Sequence, residues 1–439
     1  MEEKNLKKEI SLFMATMLVC GNMIGSGVFM LPATLAQLSG PLATIIAWVI
    51  TTIGSILIAM SFANLGSKYP TTGGAYQYTK IAFGEFTGFL SAWLYWNGSW
   101  IGNAAIIVAL TSYSKAVIPW LNSPIVSIIY SSAILWIFTI INILGVKKAG
   151  KLQSFATVFK IVFFAIFIVV AFISFDPSNL VPLLPEGKGM GTISLAATST
   201  LWAFIGLETA TVTAGEIKDP EKNVKKSTIY GMIIASIIYI LISVASMGAM
   251  SNVELAKSSA PLTDILTKIL GSSIGKPLTI AVVVCILGTT IGWLLSTARV
   301  AFAAGEDGVF PKFFGKLHPK YETPANALIV GSVLVNILLV MNFQKSMVSA
   351  FTFITILATL SYLPIYLLTA SAEIMLMFKG EKNFTFKLFI KKAIIPMLAF
   401  IYSIWTIYGS GAETVMWGFI LMLIGIPFYI YNYHKNKIK

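Results

Sequence analysis

Charge and cysteine are the two scarcities of this chain. Of its 439 residues only 11% are Asp, Glu, Lys or Arg, where a soluble globular domain carries about a quarter. So few charges cannot solvate the roughly three domains that this length would form in water. A soluble fold is therefore excluded. A disordered chain, which needs low hydrophobicity and high charge, is excluded with it. Cys20 and Cys285 are the only cysteines, and each lies inside an apolar run. They read as buried thiols, too few for a disulfide scaffold or for reporting a redox compartment. The two histidines, His318 and His434, sit in polar segments with no partner at metal-ligand spacing, so neither a metal nor any other cofactor is expected. No nucleophile–base pair and no acidic or cysteine cluster is evident, which argues against an enzyme. The repeated filter loops or rings of charge of an ion channel are missing as well. The N-terminal MEEKNLKKEI lacks a signal-peptide layout. The apolar run after it continues far beyond an h-region of about 7–15 residues, so the first span reads as its own insertion signal.

What the chain has is apolar length. It is 56% hydrophobic with a mean hydropathy of +0.82, and no charged side chain occurs from Ile10 to Ser67. A bilayer crossing takes about 20 apolar residues, so this stretch alone holds two. Apolar runs bounded by charges or Gly/Pro turns predict twelve transmembrane helices, near 10–36, 42–65, 86–114, 124–145, 154–174, 192–215, 227–250, 277–303, 324–343, 346–371, 393–410 and 415–433. A barrel would instead show alternating strands of about 10 residues, so the predicted class is an all-α polytopic membrane protein.

An even number of spans puts both termini on one side, and the basic residues choose the side. With the N-terminus in the cytoplasm, 24 Lys and Arg fall inside, 6 fall outside, and Lys160 lies within a span. The net charge of +13 is thereby topogenic, and nucleic acid is not an expected partner. Asn97-Gly98-Ser99 and Asn383-Phe384-Thr385 match glycosylation sequons. The first sits mid-span and the second on the cytoplasmic side, so both read as chance matches.

Two spans are interrupted. The first contains Gly21-Asn22-Met23-Ile24-Gly25-Ser26-Gly27, three glycines in seven residues, and the sixth contains Phe204-Ile205-Gly206-Leu207-Glu208. Glycine also serves close packing between membrane helices, but in the first segment it is too dense for packing alone. Gly25 and Gly206 are 181 residues apart, with five spans before the second break. Discontinuous first and sixth helices in a five-plus-five arrangement are the pattern of an inverted-repeat secondary transporter. The repeats would cover about 10–174 and 192–371, and the spans within 393–433 would be additions. At such a break, half-helix N–H groups and a positive dipole end face unpaired carbonyls. Placed a few ångströms apart, these fit the α-carboxylate and α-ammonium of an amino acid.

GNMIGSGVFMLPA (21–33), LYW…SWIGN (94–103), LWAFIGLETATVTAGEIKDPEKNV (201–224) and Gly292-Trp293 resemble the amino acid–polyamine–organocation superfamily. Within it they are most similar to the basic amino acid/polyamine antiporters. The resemblance runs over nearly the whole chain and implies the LeuT-like fold of that superfamily. It implies that the peptide N–H groups and hydroxyl at Ser26 and Gly27, beside Gly25, hold the substrate carboxylate, and that carbonyls at Met23, Trp202 and Ile205 hold the ammonium. Trp202 and Trp293 match the aromatic residues that cover the substrate from either side. Asn22, Tyr95, Asn103 and Glu208 match polar pocket or gate positions. Interfacial anchoring is the competing reading of the tryptophans, but both lie mid-span, where an indole N–H needs a partner.

Departures from the family pattern cluster where the substrate's side-chain end would rest. Ser99 stands where a cysteine is expected, Ile106 replaces a methionine and Leu357 replaces a serine. A further departure is Lys160 in the fifth span. A charge at bilayer depth costs several kcal/mol unless paired or functional. By position it resembles the fifth-helix lysine of proton-coupled and light-subunit transporters of the superfamily, whose ammonium stands where sodium sits in sodium-coupled relatives. That implies sodium-independent transport. Snorkelling to the cytoplasmic headgroups is the competing reading. The expected function is exchange of an amino acid, basic by preference, for another amino acid or its decarboxylated amine across the cell membrane, with proton-coupled symport as the alternative. The expected partners are these small molecules and the lipid bilayer, with a homodimer as the assembly.

Overall fold

The computed structural model of the chain describes residues 6–115, 117–258, 260–342, 347–379 and 385–437, apart from the side chains of 342, 347–357, 360, 414, 436 and 437. Helices account for its regular structure: α1 Leu12–Met23, α2 Gly27–Leu38, α3 Pro41–Lys68, α4 Ala75–Phe83, α5 Glu85–Lys115, α6 Pro124–Ile143, α7 Val146–Ile173, α8 Ile193–Leu201, α9 Thr209–Val212, α10 Pro220–Ala249, α11 Asn252–Lys257, α12 Pro261–Leu270, α13 Gly275–Glu306, α14 Ala325–Asn342, α15 Met347–Met377, α16 Phe386–Gly409 and α17 Ala412–Lys437. Among the described residues, eight helical segments are long and apolar enough to cross a membrane, counting α1 with α2 as one. Shorter apolar stretches occur at Ala325–Met341 and Ser361–Met377.

Burial separates two kinds of helix. The outer ones turn large apolar residues outward, such as Ile125, Ile129 and Ile137 on α6 and Val162, Ile166 and Val169 on α7. A contiguous apolar surface of this kind suits lipid rather than water. By contrast α5 is buried on nearly every face and carries Asn97, Ser99 and Asn103 inside. That polarity keeps it out of the apolar set although it is 31 residues long. It packs between α13 and α15, while α1 packs against α7 and α10.

Local chemistry sets the ends. Ser11 caps α1 by accepting from the Met14 N–H at 3.3 Å. Proline opens α3, α6, α10 and α12, where its missing N–H is no loss. Before α1 the chain lies against the segment that follows α9. The Ile10 N–H donates to the Glu216 carbonyl and the Lys218 N–H to the Ile10 carbonyl, both at 2.9 Å, forming an isolated parallel bridge.

The structure departs from the sequence expectation in several places. The fifth span begins at Val146 rather than near 154, because the Lys147–Lys151 turn continues the helix. The sixth is a set of short pieces rather than one helix over 192–215. Loops between spans hold the short helices α4, α11 and α12. Of the second sequon, Asn383 and Phe384 lie outside the described residues, as does Lys345.

Candidate functional site

The first break is local chemistry. At Ile24 the backbone leaves the helical region with ψ 71°, and its N–H closes α1 on the Cys20 carbonyl. The Gly25 N–H turns back to the Met23 carbonyl at 2.7 Å, so it no longer reaches the Gly21 carbonyl as a continuous helix would require. A new helix, α2, starts at Gly27 with no side-chain cap. Its first amides are therefore directed out of the helix end.

The second break meets the first. After α8 a single 3-10 turn spans Trp202–Phe204, then Ile205 is extended and Gly206 adopts φ +112°. That region suits glycine, and space demands it as well. A Cβ on Gly206 would lie 3.1 Å from backbone atoms of Asn22 and Met23. The two interruptions are thus in backbone contact.

Asn22 braces the junction. Its Nδ2 donates to the Thr209 hydroxyl at 3.0 Å and the Ser296 hydroxyl at 3.1 Å, linking α1 to α9 and α13. Gly292 on α13 makes room, since a Cβ there would stand 2.0 Å from the Asn22 Oδ1. The next residue, Trp293, donates its indole N–H to the Asn22 carbonyl at 3.0 Å. A buried indole N–H needs such a partner, and here it finds one in the broken segment.

A cavity opens beside these contacts. It is lined by Asn22, Met23, Gly25, Ser26 and Gly27 from the first break, Trp202 and Ile205 from the second, and Ser99, Ile106 and Trp293. Gly27 is seated under the Trp202 ring, where a Cβ would approach the indole to 2.6 Å. Among the described residues no charged side chain lines the cavity. The lining thus pairs main-chain donors and acceptors with two indoles, a chemistry for a small zwitterion or cation.

Not every predicted residue reaches it. Asn103 lies off the lining and donates to the Thr297 hydroxyl at 3.1 Å. Leu357 belongs to α15, but its side chain is outside those described. Six lining residues were not named as site residues in the sequence: Val28 on α2, Gly98 and Gly102 on α5, Ala203 after α8, Thr289 on α13 and Tyr362 on α15. Tyr362 carries no sequence signal, since a tyrosine in an apolar run also reads as core.

Lys160 does not snorkel. It is fully buried, and its ammonium donates to the Ile24 carbonyl at 2.5 Å, the Thr289 hydroxyl at 2.6 Å and the Gly21 carbonyl at 3.2 Å. The Gly21 carbonyl is the one vacated by the turn at Gly25. Thr157, one helical turn earlier, donates to the Met17 carbonyl at 3.1 Å, so α7 holds the first break from one side. All three acceptors of Lys160 are neutral, and it does not pair with Glu208.

Glu208 is buried among tyrosines. Its Oε2 accepts from the Tyr366 hydroxyl at 3.0 Å and the Gly206 N–H at 3.2 Å. Tyr95 crosses the Tyr362 ring edge-on at 5.3 Å. Tyr366, unforeseen in the sequence, is the direct partner of Glu208.

Buried charge is not confined to Lys160 and Glu208, and Arg299, one of the 24 basic residues counted as inside, is part of it. Arg299 lies inside α13 and is fully buried, forming a two-pronged pair with Glu216 at 2.6 and 2.7 Å. Glu373 is buried on α15 and accepts from the Asn64 Nδ2 at 2.9 Å. A paired guanidinium reads in the sequence like the start of a basic loop.

Comparison with known proteins agrees with this architecture. The amino acid permease family model matches residues 10–434. A Bacillus subtilis protein whose name, arginine/ornithine antiporter, is provisional is 32% identical, over 98% of this chain and 99% of its own. The Haemophilus influenzae putrescine transporter PotE is 29% identical over 98% of each chain. The arginine/agmatine antiporter of Chlamydia caviae is 30% identical over 98% of this chain and 91% of its own. The chain belongs to the amino acid permease family, within the amino acid–polyamine–organocation superfamily.

Proposed function

We propose that this membrane-spanning amino acid permease is an antiporter. It exchanges an amino acid, basic by preference, for another amino acid or a decarboxylated amine by alternating access. The cavity between the two helix breaks, with its main-chain polar groups and two indoles, is the observation that carries the reading. The names of full-length relatives, for arginine, ornithine, agmatine and putrescine exchange or transport, support the substrate class.

In this reading the α-carboxylate rests on the Ser26 and Gly27 amides, where the α2 terminus favours an anion. The α-ammonium faces the Met23, Trp202 and Ile205 carbonyls. Trp202 and Trp293 cover the substrate, and Tyr95 and Glu208 stand at the gate with Tyr366. Lys160 occupies with its own charge the place beside the first break that a cation would take, which makes transport sodium-independent. Twelve spans in two inverted repeats, about 10–174 and 192–371, with two added helices over 393–433, account for the paired breaks; both termini face the cytoplasm.

Counterflow into proteoliposomes tests the function. Unlabelled basic amino acids or amines inside are expected to accelerate entry of labelled amino acid, with choline or sodium outside alike. Entry into empty vesicles driven by a proton gradient would mean symport instead.

A further inference from the structure

A second hollow, with a volume of about 480 Å³, lies away from the central cavity where α1 meets α7. The two helices are drawn together beside it. A Cβ on Gly150 would stand 2.5 Å from the Met14 Cε, and the Thr157 hydroxyl donates to the Met17 carbonyl at 3.1 Å. Phe13 of α1 and Phe155 and Val158 of α7 give the hollow an apolar lining, and all three are exposed, Phe155 by 69%. Lys151 also lines it, is exposed, and enters no ion pair among the described residues. No carboxylate among the described residues lines the hollow. Of its two serines, Ser154 donates its proton to the Gly150 carbonyl at 2.7 Å. Ser11 accepts from the Met14 N–H and keeps its own proton for another partner.

The hollow opens onto a face of α7 whose character changes along its length. Phe155, Val158, Val162, Ile166 and Val169 are exposed at spacings of three or four residues, so they share one side of the helix. Lys151 stands one turn before Phe155 on that side, and Lys147 one turn before Lys151, with exposed Lys148 next to it. A rise of 1.5 Å per residue puts Val158 about 10 Å from Lys151 along the axis, within a leaflet of roughly 15 Å. Charge at one end and apolar surface over that depth match a phospholipid. Its phosphate only accepts hydrogen bonds, while the Lys151 ammonium and the Ser11 hydroxyl proton donate them. A choline headgroup would bring a further cation beside three lysines, with no carboxylate in the lining to receive it. An anionic headgroup brings none, and anionic lipids of the cytoplasmic leaflet are attracted to lysines at that surface. We infer that this hollow binds an anionic phospholipid of the cytoplasmic leaflet, its phosphate on Lys151 and Ser11 and its chains against Phe13, Phe155 and Val158. The choice of leaflet rests on the orientation proposed above. A lipid seated there bridges α1 and α7, the two helices that Lys160 joins at the first break.

The competing role for these lysines is topogenic charge that draws anionic lipid to the whole surface without forming a site. Lipid quenching of a local fluorophore separates the two. Cys20 and Cys285 are both buried, so Leu152→Cys, exposed beside the hollow and outside its lining, supplies one accessible thiol for the label. The labelled full chain in phosphatidylcholine nanodiscs is titrated with phosphatidylglycerol or phosphatidylcholine carrying a nitroxide on the acyl chain. Half-quenching is expected at a mole fraction of phosphatidylglycerol at least tenfold below that of phosphatidylcholine. A lysine near a membrane surface contributes about fivefold, so adding Lys151→Gln is expected to cut the preference about fivefold or more. Lys312→Gln removes an exposed lysine outside the hollow and is expected to leave the preference within twofold. Equal losses in the two variants mean diffuse surface charge and overturn the inference, as does equal quenching by the two lipids before either substitution. Glycerol 3-phosphate in the buffer is expected not to relieve quenching, because it lacks the chains; relief at millimolar concentration would overturn the lipid assignment in favour of a free phosphate site. Both faces of a nanodisc are open and no transport is measured, so failure of the exchange reading or of the orientation leaves these outcomes unchanged.

Discussion

Replacing Lys160 by methionine keeps most of the side-chain volume and removes the ammonium. Wild-type Lys160 donates to the Gly21 and Ile24 carbonyls and to the Thr289 hydroxyl. Bonds from a charged donor contribute about 1.5–3 kcal/mol each, but burying the ammonium costs several kcal/mol in return. Those two effects largely offset. The residue of the substitution is two carbonyls left without donors in a dry interior, at about 1–3 kcal/mol apiece. The Thr289 hydroxyl already reaches the Ile24 carbonyl at 3.3 Å and can satisfy part of that loss. A net loosening of the first break by about 2–3 kcal/mol follows, which weakens apparent substrate affinity roughly 30- to 150-fold. Equilibrium binding to purified protein reads this directly, with thermal unfolding as the check that the rest of the fold is kept. Wild-type affinity in Lys160→Met would refute the reasoning, because the ammonium would then not be holding the break. Strict sodium dependence of wild-type transport would refute it from the other direction.

Other substitutions have equally definite outcomes. Gly27→Ala places a methyl 2.6 Å from the Trp202 indole and is expected to displace the ring and weaken binding at least tenfold; unchanged quenching of tryptophan fluorescence by substrate would contradict this. Trp202→Leu is expected to cost about 1–2 kcal/mol of substrate affinity through lost stacking or cation–π contact, with thermal stability kept. Arg299→Met strands the Glu216 carboxyl group in the interior and is expected to destabilise by about 3–5 kcal/mol, while the double variant Arg299→Met/Glu216→Leu recovers most of the loss. Thermal unfolding in detergent measures both, and an equal loss in the single and double variants would rule out the unpaired-charge argument.

Legibility in the sequence followed the strength of local chemistry. The first break announces itself through the cluster Gly21, Gly25 and Gly27, although Gly21 and Gly27 each also serve a close approach, to Gln153 and to the Trp202 ring. The second is visible through Gly206, whose positive φ only glycine tolerates well. Span ends near lysines are legible too, but the start of α7 is not, since the turn holding Lys147, Lys148 and Lys151 is helical as well as polar. Tertiary pairing hid the rest. Arg299 reads as the edge of a basic loop until Glu216, 83 residues away, is found against it. Tyr362 and Tyr366 look like ordinary apolar filling, and only their hydroxyl partners, Ser99 and Glu208, distinguish them. Asn103, also read as a site group, lies off the cavity lining, and its amide N–H donates to the Thr297 hydroxyl, a pairing 194 residues apart that the sequence does not show.

The central claim is that substrate occupies the space between the two helix breaks. A cryo-EM map of the protein in lipid nanodiscs with a saturating basic amino acid tests it most directly. The account predicts density against the Ser26 and Gly27 amides, covered by the Trp202 and Trp293 rings, with the side chain directed toward Ser99. Density for the amino acid at any other place, with this cavity filled by side chains or spanned by a continuous first helix, would contradict it.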